Sequence, residues 1–527
     1  MFKSKILWIL LSVVTLGIGA FITYKLLTDN SNLTYYIPKN SAIVVSADFK
    51  SLTTKLNFEE IKSMQFFKKM MDRSVSNPDD EKFKTKYAQD PFATGINLLK
   101  DAYFFAGSRN SQSFGGVVFA ISDKNKFETF LSEIPNMNLS VNKKDNFSYL
   151  SYKSDAYLVW NDEACYLLGG LGSDDKDFAL SLINLKKNQS IADVDAFQKF
   201  RKTSFDMGLY MSFEEVKKIS GLNRELDNSS FNFNEKYLNA FLNFDNNEIN
   251  LSTEIIGNEE ELVKSNFMKD KGISTGMQKL FTNKKPVFSM SMSLDMKRIF
   301  SYIKNQREYE KAIKKLNREI GISESEIENI LNGDFSFCVS DISNKKIKVK
   351  SYDYESGKIY ETEKDQLVTS MILSVSISNK TPLIDLMKKM NISNENGIWV
   401  FPLNEKNLGN NLYLIDNEIG FTMTNDEGAA NELKNSKKFN YTLDSDQKEL
   451  IEQNPMSMRM NLHLNEMPAA VQDQINRLSN RTDVLNELDN ATLTSNGVKS
   501  IFSLKLKEGE NNSLFRIFKM ADKAYNF

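Results

Sequence analysis

Apolar residues alternate with small or polar ones through Ala42–Leu52 (AIVVSADFKSL) and again through Val287–Ile299 (VFSMSMSLDMKRI). A period of two predicts a strand in each, after which Asp48 or Asp295 caps an amphipathic helix. These caps stand 295 − 48 = 247 residues apart. Tyr157–Leu168 and Leu412–Met423 share a strand–turn–strand pattern at an offset of 412 − 157 = 255. Met207–Ser212 and Met458–His463 pair likewise, with Ser212 and Asn465 as caps at 465 − 212 = 253. One shift orders widely separated pieces the same way, which predicts an internal duplication.

Within each half the pattern runs alternating strand, capping residue, amphipathic helix. Ile43, Val45, Ala47 and Phe49 share a strand face; Asp90 with Pro91 opens a helix over Phe92–Leu99. Phe127, Phe130, Leu131 and Ile134 follow helical spacing. Ser212 with Glu215 and Ser323 with Glu326 have the spacing of capping boxes, and Asn258 with Glu261 a looser version. The turns Asn161-Asp162-Glu163 and Asp416-Asn417-Glu418 join strands directly, as in hairpins. Alternation, rather than continuous Val/Ile/Leu runs, predicts antiparallel sheets with one covered face. The expected fold class is α+β: two tandem duplicated halves, 38–283 and 284–527, each an antiparallel sheet with helices packed on one face. Asn344–Gln366 breaks the symmetry as a charged, Tyr-bearing excursion, expected to be an exposed hairpin or loop and a candidate partner-binding appendage.

The N-terminus changes the picture from a plain globular chain. Lys3 and Lys5 precede Ile6–Tyr24, 24 − 6 + 1 = 19 residues without a formal charge, closed by Lys25. At about 1.5 Å per residue this spans roughly 28 Å, close to a hydrocarbon core. Ile18 stands at the −3 position of the only Ala-ended cleavage candidate, so an uncleaved signal anchor is expected. Residues 1–5 are then a cytoplasmic tail, 6–24 the transmembrane helix preceding the two halves, and 25–37 a linker, with the bulk of the chain extracytoplasmic or periplasmic. No Cys follows the apolar segment to carry an acyl anchor.

Composition adds little chemistry. The formal net charge is −2 over 527 residues, and no basic stripe interleaved with aromatics suggests nucleic acid. Cys165 and Cys338 sit in apolar strands and read as buried small hydrophobes. His463 is the single histidine, which excludes a multi-histidine metal site; in Met458–Leu464 it alternates with Met458, Met460, Leu462 and Leu464 and is expected on an exposed strand face. Gly272-Ile273-Ser274-Thr275-Gly276 matches G-x-S-x-G by letter, but a charged loop precedes it where a nucleophile elbow needs a strand. Gly169-Gly170-Leu171-Gly172 lies at a strand-to-helix turn whose Asp174 and Asp175 repel phosphate. Ser301-Tyr302-Ile303-Lys304 satisfies S-x-x-K without a K-T-G companion, and the acidic runs Asp79–Glu81 and Glu259–Glu261 lack calcium-loop spacing. No catalytic, cofactor-binding or metal-ligating residue is assigned.

Tyr36-Ile37-Pro38-Lys39-Asn40-Ser41-Ala42 followed by Ile43–Leu52 resembles the opening of an uncharacterised envelope family of Bacteroidetes-type bacteria, the domain-of-unknown-function family 4836. The duplicated layout from Pro38 onward is also similar. The resemblance implies a bacterial cell-envelope location and transfers no activity and no catalytic residue. The expected function is a membrane-anchored, non-enzymatic envelope protein that scaffolds another envelope protein. The alternative is a carrier of lipid or another apolar ligand between sheet and helices, lined by some of the 37 Phe and 21 Met.

Overall fold

The computed structural model describes residues 33–527 apart from 57, 66–67, 69–81, 84, 88–89, 111, 135–139, 153–155, 171–175, 220–233, 305–306, 322, 353–356, 403–410, 478–484 and 526–527. The expected anchor Ile6–Tyr24 lies outside these residues. Among the described residues no helix is long and apolar enough to cross a membrane. The chain forms two compact units: one runs to Asn258 and is taken up again at Glu508–Phe527, the other is Glu259–Lys507. The expected junction at 283/284 therefore falls inside the second unit.

The first unit holds β1 (Ser41–Ala47), β2 (Ala102–Arg109), β3 (Gln112–Ala120), β4 (Asn142–Lys144), β5 (Phe147–Tyr152), β6 (Ala156–Trp160), β7 (Ala164–Gly169), β8 (Met207–Ser212), β9 (Tyr237–Asp245) and β10 (Glu248–Ile256). They pair antiparallel in the order β10-β9-β8-β1-β2-β3-β7-β6-β5-β4. Its helices include α1 (Phe49–Lys55), α2 (Lys124–Ser132) and α3 (Asp195–Lys202). The second unit holds β11 (Phe288–Ser293), β12 (Leu331–Tyr352), β13 (Ile359–Ile377), β14 (Ser393–Glu395), β15 (Ile398–Pro402), β16 (Asn411–Asp416), β17 (Gly420–Thr424), β18 (Met456–Asn461), β19 (Leu488–Ser495) and β20 (Lys499–Leu506). Their order is β20-β19-β18-β11-β12-β13-β17-β16-β15-β14, again antiparallel throughout. It reproduces the first unit's order with ten added to every label. Helices α4 (Met296–Ile303), α5 (Glu324–Ile330), α6 (Thr381–Lys389), α7 (Glu427–Ser436) and α8 (Ser445–Gln453) belong to it.

The capping signals act locally much as the sequence indicates. Asp48 accepts from the Ser51 N–H at 2.9 Å and Asp295 from the Arg298 N–H at 3.1 Å. Ser323 and Glu326 form the full reciprocal box. Ser212 accepts from the Glu215 N–H at 3.4 Å, but the Glu215 carboxylate turns to Lys218 at 2.7 Å, so this box is half made. Two expectations are corrected. Asp90-Pro91 opens only a 3-10 turn, Pro91–Thr94, because Gly95 ends it with φ +71 where an added Cβ would lie 2.3 Å from the Asp123 carbonyl. Asn465 caps no helix; it sits inside the 3-10 turn Leu464–Glu466.

Helices cover both faces of each sheet, not one as expected. In the first unit Phe127 and Phe130 of α2 pack with Val117, Phe119, Leu158 and Trp160, while Phe197 and Phe200 of α3 pack with Val118, Val159, Tyr166 and Leu168 on the other side. β7 is buried at all six of its positions, the mark of a strand sandwiched on both faces. The helix Ser513–Tyr525 closes the same unit: Leu514 and Phe515 join Phe244 in the core, and Asn512 donates to the Phe244 carbonyl at 2.8 Å. In the second unit Ala429, Ala430 and Leu433 of α7 and Ile451 of α8 meet Cys338 and Ile372 on one face; Ile330 of α5 and Met387 of α6 meet Trp399 and Phe421 on the other.

Candidate functional site

Side chains directly opposite one another in an antiparallel pair point to the same face. In the second unit this rule assembles a row from six strands: Leu373, Phe337, Met290, Met458, Leu493 and Phe502. A flanking row holds Met371, Val339, Phe288, Met460, Ala491 and Leu504, and the other Val375, Phe335, Met292 and Met456. Every one of these side chains is apolar and none is buried; Met460 is 43% exposed and Phe502 38%. The opposite face carries Ser289, Ser291, Ser293, Ser336, Ser374, Ser376 and Ser457, all buried. Several of their hydroxyls find partners, while that of Ser336 has none: Ser291 meets Ser457 at 2.7 Å, Ser374 meets Thr422 at 2.8 Å, and Ser374 donates to the Leu280 carbonyl at 2.9 Å. The small hydroxyl side packs under helices, whereas on the apolar side α5 and α6 cover the sheet at its Val375 end and leave the Met-rich strands half-exposed.

At about 4.8 Å between strands and about 6.8 Å between same-face residues, the three rows span roughly 24 by 14 Å, or about 330 Å² as a flat footprint. A patch of that order is comparable to the largest apolar patch of an ordinary monomer, a place where function is often found. Met290, Met292, Met371, Met456, Met458 and Met460 make it soft and adaptable, since an unbranched thioether fills irregular gaps. The first unit has a smaller counterpart: Ile43, Val45, Leu209, Met211 and Leu238 are half-buried, while Met207 is 37% and Leu251 38% exposed. The Ile43/Val45 side of β1 is thus the more open one, and Ala42, Val44 and Ser46 are buried.

A second concavity of about 140 Å³ lies at the end of β11 and β18 on the helix-covered side, lined among others by Lys285, Asp444, Gln447, Arg459, His463, Glu466 and Asp489. β18 ends at Asn461, so His463 is not the exposed strand residue expected; it begins the 3-10 turn, 30% exposed at its side chain, with Nδ1 3.7 Å from Glu466. Lys285 Nζ lies 2.6 Å from Glu466 and Arg459 Nη1 3.5 Å from Asp444. The Lys285 ammonium beside it holds the Glu466 carboxyl below its usual range. Lys285 and Arg459 each face a carboxylate, and Asp489 is a third carboxylate on the lining, so the hollow offers no bare cation to an anionic substrate.

A family model described as "Domain of unknown function (DUF4836)" matches residues 33–514. The chain belongs to this family. No curated protein matches the DUF4836 chain. Among solved structures it is similar to TP0453: crystal form III at 12% identity with a TM-score of 0.26, covering 47% of this chain and 84% of that one, and crystal form IV at 11% identity and 0.27, covering 43% and 81%. Similarity at that level carries no argument about function.

The remaining sequence motifs of the DUF4836 chain have the following surroundings where they are described. Gly272 is required by a close approach, since an added Cβ would lie 1.8 Å from the Ile451 carbonyl. Ser274 precedes the four-residue helix Thr275–Gln278, and its backbone N–H donates to Asp334 at 3.0 Å. Ser301 donates to the Arg298 carbonyl at 3.1 Å, and Lys304 pairs with Glu328, so the S-x-x-K residues have separate partners. Gly170 takes φ +84 just after β7; Leu171–Asp175 lie outside the described residues, as do Asp79–Glu81. Cys165 and Cys338 are free and buried, and burial pushes the Cys338 thiol up to about 12. Among the described residues no cluster of His, Cys, Asp and Glu could hold a metal ion.

Proposed function

We propose that this chain is a membrane-tethered, non-enzymatic lipid-binding protein of the bacterial cell envelope, built by tandem duplication of one α+β unit. The open apolar face of the second unit carries the reading. Its three rows are apolar except where the third continues through Ser495 and Ser500, which bond to each other, whereas protein interfaces use about one hydrogen bond per 100–200 Å². Its footprint of about 330 Å² is also well short of the roughly 800 Å² per partner of a stable protein–protein interface. Acyl chains need neither direction nor large area. Ile6–Tyr24 is the tether, with the N-terminus cytoplasmic, and the charge pattern around that segment supports the envelope location. The identical strand orders of the two units and the three sequence offsets support the duplication. The test is organic extraction and mass spectrometry of full-length protein purified from its native membranes. Lipid enriched over the bulk membrane composition is expected; its absence refutes the reading.

A protein-scaffold reading is favoured by a different feature. Beyond the ends of β11 and β17, β12 and β13 continue as a two-stranded arm from the pair Asp341↔Ser370 to Tyr352↔Ile359, which contains most of the Asn344–Gln366 excursion. Lys346 and Glu363 sit 3.7 Å apart across it, and Ile359 near its tip is 67% exposed. The base of the arm is anchored, with Val368 buried and the Asn425 amide donating to the Thr369 carbonyl at 2.6 Å, but a ribbon of only two strands is marginal in water, so a partner along its outer part would stabilise it. In-cell crosslinking from position 346 should then trap one reproducible envelope protein, and failure to trap any removes this second reading.

A further inference from the structure

We infer that the ligand of the open face is a lipid with two or more acyl chains bound side by side, not a single-chain lipid; this rests on the lipid-binding reading above. The argument is one of dimensions. A chain as it lies in one leaflet is about 15 Å long, half of a hydrocarbon core of about 30 Å. Laid along the strands it matches the roughly 14 Å from the Val375–Met456 row to the Met371–Leu504 row. Its width is close to a single strand spacing of about 4.8 Å, whereas two of the open rows cross six strands from β13 to β20 and the third crosses four. One chain would cover a minority of Leu373, Phe337, Met290, Met458, Leu493 and Phe502 and leave the rest wet. Laid across the strands, a single chain would still leave two of the three rows uncovered.

The openness of the face points the same way. A chain lying on half-buried side chains is covered from below only, so each methylene gains about half of what a fully enclosed one would. A single acyl chain held even by full burial gives marginal, reversible attachment, and stable retention takes a second. Neighbouring chains on one face cover each other's flanks, which restores the missing contact. The thioethers of Met290, Met292, Met456, Met458 and Met460, on two adjacent strands at the middle of the face, adapt to chains that differ in length or branching.

The test is native mass spectrometry of the full chain, purified in mild detergent, with a diacyl phosphatidylethanolamine or its lyso form carrying the same acyl chain. The expected result is a retained diacyl adduct, with the lyso lipid bound at least a hundredfold more weakly. The diacyl adduct should be lost in Met290→Lys and also in the milder Met458→Gln, each with an unchanged near-ultraviolet circular dichroism spectrum. Equal retention of the lyso lipid would overturn the multi-chain inference and leave the lipid-binding reading in place. Retention of the diacyl lipid by both folded variants would overturn the assignment to this face. Binding of neither lipid by the unaltered chain would overturn the lipid-binding reading itself.

Discussion

Ile372 and Leu373 are neighbours in β13 that point to opposite faces, and replacing each with Ala measures which face is covered. Ile372 is 1% exposed and packs in the core with Cys338, Ala430, Leu433 and Ile451. Truncating it removes fully buried methyl groups and leaves a cavity under α7 and α8, a loss of about 3–4 kcal/mol. Leu373 is half-buried at the β13 end of the central open row. Its truncation removes only part of a burial worth about 1.5–3 kcal/mol and encloses no void, so about 1 kcal/mol is expected. The lower strand propensity of Ala enters both variants and cancels in the comparison. With a urea dependence of about 3 kcal/mol per molar, the midpoint falls by about 1 M for Ile372→Ala and about 0.3 M for Leu373→Ala. The assay is urea unfolding of the delipidated protein, followed by hydrogen exchange of β12 and β13 peptides. Equal losses in the two variants would mean that the Met-rich side is covered in solution, and would remove the basis of the proposed binding face.

Other outcomes follow from local geometry. Burial raises the Asp334 carboxyl, but Lys269 at 2.8 Å, the Ser274 N–H at 3.0 Å and the Ser293 hydroxyl at 2.8 Å outweigh it and hold the group below the usual carboxylate range. A depressed folded-state pKa stabilises above the unfolded value of about 3.9 and is lost as pH falls through the folded value. Asp334→Asn should therefore lower stability by about 2–4 kcal/mol at pH 7, with the gap to the parent closing below about pH 4 in an acid titration. Gly272→Ala should destabilise by about 3 kcal/mol or more through its clash with the Ile451 carbonyl, whereas Ser274→Ala should stay within about 1 kcal/mol; thermal melts of the pair separate a backbone constraint from a nucleophile elbow. Cys165 and Cys338 are fully buried with raised pKa values, so neither should react with a thiol reagent until the chain is unfolded, as mass spectrometry of the alkylated protein would record.

Much of the architecture was legible because local signals repeat. The Asp48 and Asp295 caps, the Ser323 box and the strand–turn–strand segments all lie where the sequence places them. The face that each strand buries was not legible. Alternation in Val287–Ile299 gives two faces but no direction, and hydrophobicity alone sends Met290 and Met292 inward. The serines are inside because their small size lets Ile273–Phe281 approach the sheet and because hydroxyls such as those of Ser291 and Ser374 find partners far along the chain, an arrangement absent from the local pattern. Burial on both sides of β6 and β7 had a visible trace, the continuous runs Tyr157–Trp160 and Ala164–Leu168, which outweigh alternation there. His463 was misplaced for want of a strand end: Asn461 turns its side chain to accept the His463 N–H at 2.9 Å, and the chain leaves the sheet.

The closure of the first unit by Ser513–Tyr525 orders events during biosynthesis. Phe515, 1% exposed, packs in a core whose members from Ala47 to Phe244 are made 515 − 244 = 271 to 515 − 47 = 468 residues earlier, and Arg516 donates to Asn247 at 2.7 Å. A growing chain therefore carries an unfinished first unit while the whole of Glu259–Lys507 emerges and can fold. The N-terminal unit is synthesised first and completed last. A premature stop after Lys507 would spare the second unit and leave Phe244 and Leu242 without their cover, so the damage would appear at the opposite end of the sequence from the lesion.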